Sequence, residues 1–303
     1  MTTAGQYRGR FAPSPSGPLH FGSLIAAVGS YLEARTHQGI WLVRMEDLDP
    51  PREQPGVADL ILKTLETYGF EWDGPVLYQS TRHQAYQAAL DRLQAQGQLY
   101  ACSCTRKEIA DSAIHSNHHG IEGPVYPGTC RNGLHGREAR AWRIKTDMTA
   151  ICFDDRLQGH LCQILQRDIG DFVLKRVHGF YAYQLAVVVD DAAQGITHVV
   201  RGADLLASTP RQIYLQQQLG LPMPHYAHLP VAANRAGEKL SKQTLAPALD
   251  LTQPVPALCK ALEFLGQQPP QELATSNLAD LWKWAVNQWV IQRTPQQNTC
   301  ITD

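Results

Sequence analysis

Apolar strands and amphipathic helices alternate along this chain, and the alternation breaks once and then resumes. After a proline-rich loop, "LHFGSLIAAVGSYLEARTHQG" reads as a helix, with Leu24, Ala27, Val28, Tyr31 and Leu32 at helical spacing and Gly39 as its stop. "IWLVRMED" reads as a short apolar strand ending in charge, and "GVADLILKTLETYGF" and "RHQAYQAALDRLQAQGQLY" as two further helices. From about Tyr100 to Lys175 the pattern gives way to Gly, His, Arg and turn residues, as an inserted module would. Beyond it, "FYAYQLAVVVDD" reads as a strand with a nearly continuous apolar core, the kind found inside a parallel sheet. "GITHVVRGADLL" reads as another strand, and "TPRQIYLQQQLG" as a helix opened by Thr209 and Pro210. "PHYAHLPVAANRAGEKLSKQ" reads as a strand followed by a polar loop, and the stretch from about 247 as mostly helical, strongest at "LWKWAVNQWVIQ". The expected fold is therefore α/β, an open sheet covered by helices and split by an insertion. Ligands bind at the carboxyl ends of strands in such sheets, which here carry the opening loop, "RMEDLDPPR" and "VVDD…VVRGAD".

At 303 residues, 44 % apolar and 18 % charged, the chain can bury a large core. It has no apolar run of the roughly 18 residues that span a bilayer. "MTTAGQYRGR" has no apolar stretch behind its charges, so the expectation is a cytoplasmic protein without a leader or membrane segment. Lys and Arg total 27 against 28 acids, which neither requires nor excludes a polyanionic partner. Arg131, Arg137, Arg140, Arg143 and Lys145 cluster with only Glu138 opposing, followed by Arg156, Arg167, Lys175 and Arg176; by charge alone this is a solvated face. The seven cysteines are an odd, scattered set, so a disulfide framework is not expected. Cys152, Cys162 and Cys259 read as small buried hydrophobes and Cys300 as a tail thiol.

Two segments have phosphate chemistry. In "RFAPSPSGPLHFGS", Pro13, Pro15 and Pro18 fix the backbone, while Gly17 and Gly22 permit close approach of a ligand. Gly22 and Ser23 fall in the first helical turn, whose free N–H groups suit an anion, and His20 stands beside them. Taken alone, His20 serves equally well as a cap or a packing residue. In "GEKLSKQ", Lys239, Ser241 and Lys242 form a phosphate-seeking set, although no P-loop precedes them and a charged surface loop has the same composition. Within the insertion, Cys102 and Cys104 stand one residue apart, and Cys130 follows an excursion containing His115, His118 and His119. Two such thiolates can share one tetrahedral ion, and chemistry alone offers one of those histidines as the fourth ligand.

Four blocks in order, "RFAPSPSGPLHFGS", "RMEDLDPPR", "YQLAVVVDDAAQGITHVVRGADLL" and "GEKLSKQ", resemble the catalytic core of the glutamyl-tRNA synthetases, within the class I aminoacyl-tRNA synthetases. The chain leaves no room for the large helical anticodon-binding region of that family, so it is most similar to their truncated paralogues, the glutamyl-queuosine tRNA(Asp) synthetases. Ser23 stands where the broader class I signature has a second histidine.

The resemblance implies a Rossmann-like catalytic domain in two halves, 1–99 and 176–246, an inserted zinc-containing, RNA-contacting module at 100–175, and a helical part at 247–303. It implies ATP-dependent, tRNA-independent activation of L-glutamate and its transfer to queuosine in the tRNA(Asp) anticodon stem-loop, by a monomer. Arg10, Ser14, Glu46, Tyr183 and Arg201 would surround glutamate, with the backbone of Phe11, Ala12 and Pro13 lining the pocket. Glu46 would hold the ammonium, and Arg10 and Arg201 the two carboxylates in an order left open. His20 and Lys242 would act on ATP, supported by Gly22, Ser23, Lys239 and Ser241, with Mg²⁺ accompanying ATP. Cys102, Cys104, Tyr126 and Cys130 match a Cys-x-Cys…Tyr-x₃-Cys site for one structural Zn²⁺. A tRNA-charging synthetase fragment, a catalytically dead RNA-binding paralogue and a small-molecule nucleotidyltransferase are the competing readings.

Overall fold

A computed structural model describes residues 5–116, 119–120, 123–176, 178–234, 239 and 247–302, with the side chains of 113–116 and 119–120 left aside. The chain opens with β1 (Arg8–Phe11), α1 (Phe21–Thr36), β2 (Ile40–Met45), α2 (Val57–Thr67), β3 (Leu77–Tyr78) and α3 (His83–Ala95). There follow β4 (Leu99–Cys102), α4 (Arg106–Ser116), β5 (His119–Gly120), β6 (Gly123–Pro124), β7 (Ala141–Ile144), β8 (Ala150–Asp155) and β9 (Gly159–Ile164). Next come α5 (Leu165–Asp168), β10 (Val173–Arg176), α6 (Tyr183–Ala193), β11 (His198–Gly202), α7 (Thr209–Gln218), β12 (His225–Leu229) and β13 (Val231–Ala233). The described chain closes with α8 (Pro254–Phe264), α9 (Leu278–Gln288) and β14 (Thr299–Ile301).

The strands β1, β2 and β3 pair in parallel, as do β11 with β12 and β12 with β8. The two sets meet edge to edge, because the Arg8 amide donates to Thr197 Oγ1 (2.8 Å) and the Thr197 amide to the Arg8 carbonyl (3.0 Å). The strands β4, β7 and β10, which flank β8 and β9 in sequence, form a separate antiparallel sheet. Helix α1 lies at the centre of the main core, buried from Leu24 through Ala34 except at Ala26, against the parallel strands on one side and α8 and α9 on the other. Gly29 permits that approach: a Cβ there would meet Leu229 Cδ1 at 2.5 Å.

Three expectations are corrected. Residues 180–191 do not form a strand; most of them belong to helix α6. Leu185, Ala186, Val187, Val188, Asp190 and Asp191 are all buried there, because α6 packs against α3, α7 and β10. Cys152 and Cys162 are not buried hydrophobes: they face each other across β8 and β9, exposed and joined in a disulfide. Cys259 is buried as expected. The basic cluster is not a plainly solvated face either, since Arg131 pairs with buried Asp171, Arg137 with Glu108 and Arg156 with buried Glu33. Arg143 is itself buried, its guanidinium 4.0 Å from the centre of the Tyr126 ring. The C-terminal part is helical until β14, which returns to pair in parallel with β13. Among the described residues no helix is long and apolar enough to cross a membrane.

Candidate active site and thiol cluster

A cavity of about 740 Å³ opens at the carboxyl ends of β1, β2 and β11. Arg10, Phe11, Ala12, Ser14, Glu46, Tyr183 and Arg201 line it, together with His20, Gly22, Ser23 and Lys239. Pro13 is not among the lining residues; its carbonyl accepts the Glu46 amide at 2.9 Å and so ties the opening loop to the end of β2. Ser241 and Lys242 lie outside the described residues.

The floor of the cavity, where Arg10 and Glu46 emerge, rests on a buried ion network whose Arg44 and Asp191 lie behind the lining. Asp191 Oδ1 accepts from Arg10 Nε at 3.2 Å and from Arg44 Nη1 at 2.7 Å. Arg44, with no solvent exposure, also reaches Glu46 Oε1 at 3.3 Å and Gln194 Oε1 at 2.8 Å. Burial opposes ionisation of Asp191, yet the two guanidiniums hold its pKa below the ordinary carboxylate value. Burial dominates at Glu46 and raises its pKa, with Arg44 and Arg10 opposing. Glu46 does pair with Arg44, the partner that an ordinary ion pair would give it, but that pair is buried in the cavity wall rather than on the surface.

Arg201 is held by neutral groups. Its Nε donates to His228 Nε2 (3.0 Å), and its Nη2 to Thr209 Oγ1 (2.9 Å) and the Leu205 carbonyl (3.4 Å). Its Nη1 donates to Tyr183 Oη at 3.4 Å. Since His228 Nε2 accepts, its proton sits on Nδ1, which donates to Asp155 Oδ2 at 2.6 Å. Burial pushes the His228 pKa down to about 4, consistent with a neutral ring. Asp155 is buried, yet its bond to His228 and the backbone amides of Gln158 and Leu157 lower its pKa. Arg44, Asp155, Asp191 and His228 were not singled out from sequence. An acidic pair ending an apolar run was the available signal for Asp191.

His20 caps α1: its Nδ1 accepts the Ser23 amide (3.4 Å) while Ser23 Oγ accepts the His20 amide (3.5 Å). The cap and the cavity wall are thus the same residue. Nδ1 as acceptor puts the ring proton on Nε2, the tautomer that donates to an anion. Lys239 Nζ reaches Asp204 Oδ2 at 2.5 Å across the cavity mouth.

In the inserted segment, the Sγ atoms of Cys102, Cys104 and Cys130 all lie within 4.8 Å of one another, Cys104 and Cys130 at 3.6 Å. Tyr126 Oη is 3.4 Å from Cys102 Sγ and 3.9 Å from Cys104 Sγ, and accepts the Cys130 amide at 3.0 Å. This is a donor set with the compactness a tetrahedral ion needs. Burial works against a thiolate at Cys130, but bonds from the Ser103 amide and hydroxyl bring its pKa down to about 6. Burial lifts Cys104 to about 11. Tyr126 is fixed from behind by a bridge to Gly170, whose φ is +75° and where a Cβ would lie 2.3 Å from the Tyr126 carbonyl oxygen. His118 and the side chains of His115 and His119 lie outside the described residues.

Residues 6–273 match the family model of class I tRNA synthetases (E and Q), catalytic domain. The Glutamyl-Q tRNA(Asp) synthetase of Dechloromonas aromatica is 64 % identical over 96 % of this chain and 97 % of its own length. That of Chromobacterium violaceum is 61 % identical over 95 % of each. Among solved structures, the glutamate-tRNA synthetase of Elizabethkingia anophelis superposes with a TM-score of 0.80, covering 98 % of this chain and 68 % of that one. At 21 % identity, that likeness concerns the fold. A parallel α/β core accompanied by a separate antiparallel sheet, a cavity at its strand ends and near-complete coverage by close relatives agree: the chain belongs to the class I tRNA synthetases (E and Q), and among them to the Glutamyl-Q tRNA(Asp) synthetases.

Proposed function

We propose that this chain activates L-glutamate with ATP, without needing tRNA for that step, and transfers it to the queuosine of the tRNA(Asp) anticodon stem-loop. The observation that carries the reading is the charge of the cavity floor. Arg10 and Arg44 are balanced by direct contact with Asp191 and Glu46, whereas Arg201, which lines the same cavity, touches no carboxylate among the described residues and leaves one positive charge over. Glutamate, an ammonium with two carboxylates, has the complementary excess of one negative charge. Glu46 takes the ammonium, Arg10 and Arg201 the carboxylates, and Tyr183 closes one wall, with Ser14 and the backbone of Phe11 and Ala12 beside them. A small-molecule nucleotidyltransferase would have no need of this set.

A glutamate carboxylate oxygen attacks the α-phosphorus of ATP; a new O–P bond forms as the bond to pyrophosphate breaks. Charge grows on phosphate oxygens, so fixed donors supply the acceleration and no side-chain nucleophile is required. His20 Nε2–H, the α1 N-terminal amide at Gly22, the Ser23 hydroxyl and Lys239 are the donors on that side, joined by Ser241 and Lys242. Mg²⁺ enters with ATP. In the second step a queuosine hydroxyl attacks the acyl carbon, forming the ester and releasing AMP.

Cys102, Cys104, Cys130 and Tyr126 suit one Zn²⁺, which would supply a structural cross-link to the inserted, RNA-contacting module and no part of the chemistry. A zinc content that falls by one on Cys130→Ser, read by native mass spectrometry, tests that role.

The decisive experiment offers ATP and labelled glutamate with queuosine-containing tRNA(Asp), queuosine-free tRNA(Asp) and tRNA(Glu). Label goes to the first alone. Label on tRNA(Glu), or equally on both forms of tRNA(Asp), defeats the reading.

A further inference from the structure

The β8–β9 hairpin carries a second group of soft donors, none of which lines the cavity. Along β8, Ile151, Phe153 and Asp155 are buried, so Cys152 and Asp154 share the outer face. The register places Cys162 opposite Cys152 and His160 opposite Asp154. One exposed face therefore presents a two-by-two square of donors. It lies at the rim of its sheet, because β9 is the edge strand.

The square is already ordered for coordination. Asp154 Oδ1 sits 2.7 Å from His160 Nδ1, while His160 Nε2 sits 3.3 Å from Cys162 Sγ. With its Nδ1–H given to a carboxylate, the imidazole keeps its lone pair on Nε2, turned toward the sulfurs. This is the arrangement that stands behind metal-bound histidines in general. The ligand atoms of Cys152, His160 and Cys162 all lie within 4.8 Å of one another. In the oxidised form the two sulfurs are bonded to each other.

We propose that reduction of this disulfide converts the hairpin face into a site for a soft divalent cation of the Zn²⁺ type. Cys152, Cys162 and His160 are the ligands, Asp154 orients the imidazole, and solvent completes the sphere. Two thiolates and an imidazole select such an ion over Mg²⁺ or Ca²⁺, which take oxygen ligands. The balance is simple. A dithiol reductant delivers two electrons and two protons to the S–S bond and becomes a disulfide itself; the cation then displaces the two thiol protons. The reverse needs a two-electron oxidant, such as another disulfide, which rejoins the sulfurs and expels the ion. Metal and disulfide exclude each other because they use the same two sulfur atoms.

The test uses the intact protein, reduced with a phosphine, freed of reductant and titrated with Zn²⁺ alone. Zinc content is read by native mass spectrometry. Reduced wild type is expected to hold one more zinc than the reduced Cys152→Ala/Cys162→Ala double variant. Comparing two reduced proteins leaves the buried thiol cluster the same in both. His160→Ala weakens the extra ion by roughly tenfold or more, and Asp154→Asn by about tenfold, the usual range for a group behind a ligand. Equal zinc content in reduced wild type and the double variant overturns the proposal. If the double variant does not fold, wild type is compared with itself. Peptide mapping then confirms that the Cys152–Cys162 link is the difference between the samples. The linked form should hold one zinc fewer, and equal contents again overturn the site.

Discussion

The two arginines of the cavity are anchored by opposite means. Arg10 is fixed by charge: it shares the Asp191 carboxylate with Arg44, inside a cluster whose ionic groups balance. Arg201 is fixed by neutral partners, His228, Thr209, Tyr183 and a carbonyl, and among the described residues it meets no carboxylate. Through His228 it is linked to Asp155, one imidazole ring behind it. Buried charge without a direct partner is costly. Arg201 therefore has the most to gain from an anionic substrate, whereas Arg10 forms part of a floor that is complete beforehand. One wall holds its shape through internal ion pairs; the other is held in position with its charge still to be met.

Several substitutions would break or sharpen this contrast. Arg201→Ala should lower kcat/KM for glutamate in pyrophosphate exchange by on the order of a thousandfold, as loss of a buried charge pair with ligand does, with little loss of stability. Asp191→Asn should instead unfold readily, losing about 3–5 kcal/mol in urea titration, because it strands two buried guanidiniums. If Arg201→Ala were the less stable of the two, the contrast would be wrong.

His228→Gln, which can accept from Arg201 and donate to Asp155, should raise the KM for glutamate by roughly tenfold, the effect of loosening one charge-assisted hydrogen bond. The KM for ATP should hold; a rise in both would make His228 a packing residue only. Acid sensitivity gives a third view. His228 and His198 are both pushed by burial from 6.5 down to about 4. The unfolded chain binds protons at these rings that the folded chain refuses. Stability should therefore be complete above about pH 6.5 and fall as pH drops toward 4. Midpoint urea concentrations measured across that window should show a shallower fall in His228→Gln. Smallest of all, His20→Ala should cost about 1 kcal/mol of stability through the lost α1 cap, beside its effect on ATP use.

Much of this was legible in the sequence. The spacing of Leu24, Ala27, Val28, Tyr31 and Leu32 gives α1, and the apolar run ending at Met45 gives β2. Residues 180–191 misled for a physical reason. A helix buried on nearly all sides shows no polar stripe, and a run of β-branched residues then looks like a strand. In a strand Asp190 and Asp191 would point to opposite faces; on α6 they diverge by about 100° around the helix axis. Asp190 turns to Gln79, Arg82 and Tyr86, and Asp191 to the cavity floor. Cys152 and Cys162 were recoverable. The alternation of "AICFDD" puts Cys152 on the face opposite Ile151 and Phe153, and a hairpin turning through residues 156–158 would bring Cys162 across from it. Asp155–His228–Arg201 was not recoverable, because only the parallel register of β8, β12 and β11 brings these residues together.

Gly170 has a consequence of another kind. The phenol beside the thiols is held through its backbone by Gly170, at a point where the Tyr126 backbone leaves no room for a carbon. How far this cluster can drift over evolutionary time is therefore set at a second address. In the proposed role of this cluster, the cysteines could be exchanged only for other ligands. The glycine can be exchanged for nothing, since even a methyl group would displace the Tyr126 backbone and tilt the site from outside.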